Sequence, residues 1–171
     1  MSKKCCGFGN RTVYEKIQAE IDAAVEKAIA MGCTEFFNGD MGDFDRMFFS
    51  AVKRAKKLHP EIRIFCEKPY LTKELQINKE FYISNFDEII IPDASASAHY
   101  KAAITKRNQF MIDESDVVLI YTIKEYGGAY TAKKYAKMQN KEIIEIPCNF
   151  SNFQKAVAIA DERWIDSLDE M

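Results

Sequence analysis

The chain has 171 residues, a length that suits one globular domain whose core needs no disulfide staples. Hydrophobic residues make up 47% and charged residues 29%, which excludes a disordered chain, and the formal net charge of −2 comes without a concentrated basic face. That balance ranks nucleic acid low and argues against a duplex nucleic-acid partner, and no apolar run approaches the ~18 residues of a membrane span.

Short apolar runs alternate with long amphipathic stretches. Lys4–Phe8 is predicted as the first strand, ending in a Gly7-Phe8-Gly9 turn. Tyr14–Met31 places Ile17, Ile21, Ala24, Val25, Ala28 and Ile29 at helical spacing, and Gly32 stops it. Thr34–Asn38 is the second strand, Gly39–Asp43 a tight turn and Phe44–Leu58 a helix, with Pro60 just past its end. Glu61–Glu67 alternates as the third strand. Lys68–Asp87 is the least regular part, with a short helix expected around Leu75–Ile83. Glu88–Ile91 reads as a strand, Asp93–Ala98 as a small-residue loop and Tyr100–Ile112 as a helix. Val117–Tyr121 is continuously apolar, as in a parallel strand buried on both faces. A turn at Glu125–Gly128, a helix at Tyr130–Met138 and a strand at Glu142–Ile146 follow. A C-terminal helix is expected within about 151–168, over Phe153–Ile165. Strict alternation predicts an α/β chain: one Rossmann-like three-layer domain over 1–171, its mostly parallel sheet covered by helices on both faces.

Cys5, Cys6, Cys33, Cys66 and Cys148 form no CxxC pair, so reduced, partly buried thiols in a cytoplasmic protein are expected. The first residues show no signal-peptide h-region. His59 and His99 lack a second donor at metal-ligand spacing, so no metal site is expected and no cofactor is required. Cys148 could be a nucleophile only with one of these imidazoles.

In open parallel sheets, ligands bind beyond the carboxyl ends of the strands. Three loops there carry suggestive residues. In Gly7-Phe8-Gly9-Asn10-Arg11 the glycines admit a close ligand and Arg11 could fork onto a phosphate, although such a turn fits many folds. In Gly39-Asp40-Met41-Gly42-Asp43-Phe44-Asp45 the carboxylates would repel a bare phosphate and suit helix capping, ribose hydroxyls or a cation between protein and phosphate. Tyr126-Gly127-Gly128-Ala129-Tyr130-Thr131 follows a buried strand and opens a helix, as a phosphate cradle does. Arg107 and Asn108 join this third set, with Arg107 expected on the rim of its helix beside the apolar stripe. Tyr121, Tyr126 and Tyr130 could wall a base, although aromatics at a sheet end are more often core.

Four motifs occur in order: a double Cys before a Gly-x-Arg turn, an apolar-Gly segment leading to Phe-Asp, an Arg-Asn-x-x-Met-x-Asp helix and a Gly-Gly-x-x-Thr turn. From about Lys4 to Ile146 the chain resembles the SLOG superfamily, the Rossmann-like group joining DNA-processing protein A and the LOG cytokinin-activating proteins, and within it the bacterial YpsA-like branch. The matched positions are Gly9 and Arg11; Gly39, Phe44 and Asp45; Arg107, Asn108, Met111 and Asp113; and Gly127, Gly128 and Thr131. The resemblance implies a nucleotide or nucleotide-derived ligand across these loops, and in some relatives hydrolysis of a nucleoside-monophosphate N-glycosidic bond. Asn10 departs from an expected histidine, and Asp43 from a second glycine, with Gly42 one place earlier. Lys134 stands where the phosphoribohydrolases carry a glutamate that supports the ribose cation, which leaves Asp40, Asp43 or Asp45 as substitutes.

Three functions follow. The first is binding or sensing of a small nucleotide-type ligand, through Gly9, Asn10, Arg11, Gly39, Asp45, Arg107, Asn108, Gly127, Gly128 and Thr131. The alternatives are a nucleotide N-glycosidic hydrolase or transferase, and a protein-interaction module on the same scaffold. A homodimer is compatible with the scaffold, though no residue pattern specifies one.

Overall fold

A computed structural model describes residues 2–151 and 154–161. The strands are β1 (Lys3–Gly9), β2 (Cys33–Asn38), β3 (Arg63–Glu67), β4 (Glu88–Ile90), β5 (Val117–Tyr121) and β6 (Glu142–Glu145). The helices are α1 (Gln18–Ala30), α2 (Asp43–Leu58), α3 (Lys73–Ile77), α4 (Lys79–Asn85), α5 (Asp93–Ala96), α6 (Tyr100–Glu114) and α7 (Gly128–Met138). All strands pair in parallel in the order β4-β3-β2-β1-β5-β6.

Adjacent residues of β1 feed opposite faces of the sheet, as a two-residue period requires. Cys5 packs with Phe36, Ile64 and Leu119 beneath α1 and α2, whereas Cys6 and Phe8 pack with Phe37, Phe65 and Val118 beneath α6 and α7. On α2, Phe44, Phe48, Ala51, Val52 and Ala55 recur at helical spacing, and all are buried. β5 is buried along its whole length.

The order of strands places the site. From β1 the chain steps outward through β2 and β3 to β4, then returns along α6 to add β5 on the other side of β1. The loops after β1 and β5 therefore diverge at a topological switch point, where such sheets leave a crevice.

Several boundaries differ from expectation. The first helix begins at Gln18, not Tyr14, because residues 11–17 run as an irregular segment over the sheet end. The expected loop at Asp93–Ala98 is helical over Asp93–Ala96, where the Ser95 hydroxyl donates to the Pro92 carbonyl at 3.0 Å. The irregular stretch holds two short helices, and the Thr72 hydroxyl oxygen caps the first by accepting from the Leu75 N–H at 3.2 Å. Of the C-terminal helix, residues 154–161 are helical and the rest of the expected span lies outside the described residues. Among the described residues, no helix is long and apolar enough to cross a membrane.

Candidate functional site

A cleft of about 580 Å³ opens at the switch point, lined by Gly9, Asn10 and Arg11 after β1, Met41 and Asp45 around the start of α2, Arg107 and Asn108 of α6, and Gly127 and Gly128 at the start of α7. All four ordered motifs of the sequence thus contribute to one cavity. Asn10 is buried, and its Oδ1 accepts from the Ile123 N–H at 3.0 Å, tying the loop after β1 to the loop after β5. Arg11 is exposed at the mouth.

The two helix starts differ in charge. α2 carries Asp43 and Asp45 in its first turn. α7 has no carboxylate there and is preceded by Gly127, whose φ of 90° favours glycine. The first N–H groups of a helix have no partner within it and attract anions. A Cβ added at Gly128 would meet nothing within 4 Å, so the approach to these groups is open.

Arg107 is not on the rim. It is 3% exposed. Its Nη1 donates to the Gly39 carbonyl at 3.0 Å and the Glu67 carbonyl at 2.5 Å, and its Nε donates to Asn108 Oδ1 at 2.8 Å. Helical spacing correctly put it beside the apolar stripe, but a guanidinium is drawn inward when strand-end carbonyls need donors. Arg107 therefore fixes the ends of β2 and β3 and is not a free phosphate clamp. Gly39 lies behind it and does not line the cleft: a Cβ there would sit 3.0 Å from the guanidinium.

The three candidate aspartates separate. Asp45 lines the cleft, is 9% exposed, and accepts from the Met41 N–H at 2.7 Å. Burial pushes its carboxyl up to about 6, opposed by the Met41 hydrogen bond and by Arg107. Asp43 accepts from the Val13 N–H at 3.0 Å and pairs with Arg46, outside the cleft. Asp40 turns to a neighbouring hollow, where its Oδ2 meets Lys68 Nζ at 2.7 Å and the Tyr82 hydroxyl at 2.6 Å. Thr131 is also outside the cleft; its N–H donates to the Gly127 carbonyl at 2.9 Å, a helical bond.

Other candidates prove structural. Tyr121 is fully buried, stacks on Phe44 with 7° between planes and donates its hydroxyl to Glu15 Oε1 at 2.6 Å, so it is core and not a base wall. Met111 is core, and Asp113 accepts from the Tyr135 hydroxyl at 2.8 Å, joining α6 to α7. Burial raises the Cys148 thiol, away from the thiolate a nucleophile needs. The five cysteines are free thiols, and among the described residues no cluster of three or more His, Cys, Asp or Glu side chains is placed to hold a metal.

Two features were missed in the sequence. Lys68 is only 3% exposed, and Glu67 is fully buried with neither carboxylate oxygen hydrogen-bonded. Burial pushes the Glu67 carboxyl up to about 8. A Glu-Lys pair between a strand and a proline reads as a solvated strand end, and only the closure of the loops over it reveals otherwise.

The sheet order and the strand-end crevice define a Rossmann-like α/β protein. Its fold is that of DNA processing protein A. The Streptococcus pneumoniae protein superposes with a TM-score of 0.65 over 94% of this chain at 10% identity, and the Helicobacter pylori protein with 0.61 over 98% at 14%. This chain spans 56% of the former's length and 80% of the latter's. No family model and no curated protein matches the sequence. The Helicobacter pylori structure is described by its single-stranded DNA binding mode. That overturns the expectation that charge sets nucleic acid aside. Net charge is a sum over the whole surface, whereas a single strand can be held by a few local cations and stacking faces.

Proposed function

We propose that the strand-end cleft binds a nucleotide-type ligand, with its phosphate against the N-terminus of α7 and Arg11. The observation that supports this most is the contrast between the helix starts: both border the cleft, α2 with Asp45 in its first turn and α7, behind Gly127, with no acid in its first turn. Asp45 is the single carboxylate among the described lining residues. Of the three aspartates it alone is placed to act on a bound ribose if the ligand is turned over. The bacterial YpsA-like branch and a cytoplasmic setting belong to the same proposal, supported by the four ordered motifs and by the free thiols.

Thermal unfolding against nucleoside mono-, di- and triphosphates tests it. A ligand at 100 times its Kd adds about 2.7 kcal/mol, or about 5–10 °C for a chain of this size. Gly128→Asp, which puts a carboxylate where the phosphate would lie, abolishes the shift without unfolding the protein. No shift with any nucleotide contradicts the proposal.

The Helicobacter pylori neighbour supports a second reading, in which the bound nucleotide is part of a single strand. A fluorescent 12-residue oligodeoxynucleotide added to the same panel separates the two. Binding that falls steeply with salt and exceeds that of any free nucleotide favours the strand.

A further inference from the structure

Beside the strand-end cleft lies a second cavity of about 560 Å³, between α2 and the α3–α4 segment. The two share Arg11 and Met41 as a common wall. Their linings otherwise differ. The strand-end cleft is built from glycines, amides, a helix start and charged side chains that include Asp45, Arg107 and Lys124. The second cavity is walled by aromatic rings, among them Phe49, Phe81, Tyr82 and Phe86. Tyr82 and Phe86 stack with 18° between planes, and Phe81 stands edge-on to Tyr82 at 5.4 Å. Phe81 is 52% exposed although it lines a cavity.

Arg11, Arg46, Ser50, Thr72 and Glu74 also line this cavity, and two of its charged side chains are fixed against each other. Lys68 Nζ meets Asp40 Oδ2 at 2.7 Å and lies 5.5 Å from the centre of the Tyr82 ring. The Tyr82 hydroxyl donates to the same Oδ2, so Asp40 Oδ1 receives neither bond. Asp40 holds a φ of 54°, in the left-handed region that only short polar side chains and glycine visit readily. Its N–H donates to Asn38 Oδ1 at 2.7 Å, which holds that turn in place. An aromatic slot with a rigid carboxylate edge matches a planar heteroaromatic ring that carries an amino donor.

We infer that this cavity is the ring-binding half of the site: it takes the base of the nucleotide whose phosphate lies in the strand-end cleft, with Arg11 at the junction. The assignment rests on the nucleotide reading above. It adds that the base stacks on Phe81 and that Asp40 selects bases bearing an exocyclic amine.

Calorimetric titration with the 5′-monophosphates of adenosine, inosine, cytidine and uridine, and with ribose 5-phosphate, tests it. A base stacked on an aromatic side chain strengthens binding about 5- to 150-fold. The monophosphates therefore bind at least fivefold tighter than ribose 5-phosphate, and Phe81→Ala removes that gain while leaving ribose 5-phosphate unaffected. Phe81 is exposed, so the variant folds. Adenosine and cytidine monophosphates bind tighter than their oxo counterparts, inosine and uridine monophosphates. Asp40→Asn, which keeps the left-handed turn, levels those pairs. Equal binding of ribose 5-phosphate and the monophosphates, or indifference to both variants, overturns the ring-binding half and leaves the phosphate site standing. No binding by any of the five overturns both.

Discussion

Arg107 shows how one buried side chain can tie together the loops around a cleft that it also lines. It ties two strand ends through the Gly39 and Glu67 carbonyls, and those loops carry Met41 and Lys68 into the two cavities. Burial lowers its pKa, while Asp45 and Glu67 raise it. Arg107→Ala leaves two carbonyls and a buried carboxylate without their donor or countercharge, a loss of about 3–5 kcal/mol. Lysine does not restore it, because a single ammonium cannot reproduce the planar fork. Urea unfolding of the two variants checks this; a lysine variant as stable as the parent contradicts it. The sequence supplied Arg107 as a candidate through its motif and its place in the helix. Its direction was not legible there, since neighbouring positions on a helix face either rim or core according to what the sheet needs.

At the scale of elements, the helices and strands were legible because their apolar periods are unmixed. Ile21, Ala24, Val25 and Ala28 in α1 and the continuous apolar run of β5 are examples. The Asp93–Ala96 turn of helix was not, since Asp-Ala-Ser-Ala carries no apolar face. Glycines divided along the same line. Gly9 and Gly128 look alike in the sequence, yet a Cβ at Gly9 would fall 2.1 Å from the Phe44 ring, whereas one at Gly128 meets nothing within 4 Å. Gly9 is therefore required by the packing of β1 on α2, and Gly128 by neither packing nor strain. Gly9→Ala is expected to lower stability by about 1–3 kcal/mol, as overpacking does, measured by denaturant midpoint. A silent Gly9→Ala would show that α2 shifts away freely.

Across the whole molecule, the buried carboxyls set the pH dependence. Glu67 moves from 4.5 to about 8 on folding and Asp45 from 3.8 to about 6. In each case the folded state holds the proton more tightly than the unfolded chain, so the stability these two carboxyls contribute is greatest below about pH 4. It declines as pH rises through the folded pKa values and is flat above about pH 8. Glu67→Gln removes most of that slope, raising stability at pH 8.5 by a few kcal/mol and leaving it nearly unchanged at pH 4. Unfolding curves at the two pH values decide this, and an unchanged slope contradicts it. Such instability is tolerated where the fold converges on a site. Glu67, Arg107, Asp45 and Asp40 all lie at the carboxyl ends of the strands, whose place the alternation of the sequence foretold.

The most direct measurement is a calorimetric titration of the parent protein and Gly128→Asp with the same nucleoside monophosphate. The strand-end site requires saturable binding to the parent, none to the variant, and equal thermal midpoints for the two proteins without ligand. Equal affinity for both proteins would place the nucleotide elsewhere and contradict the account.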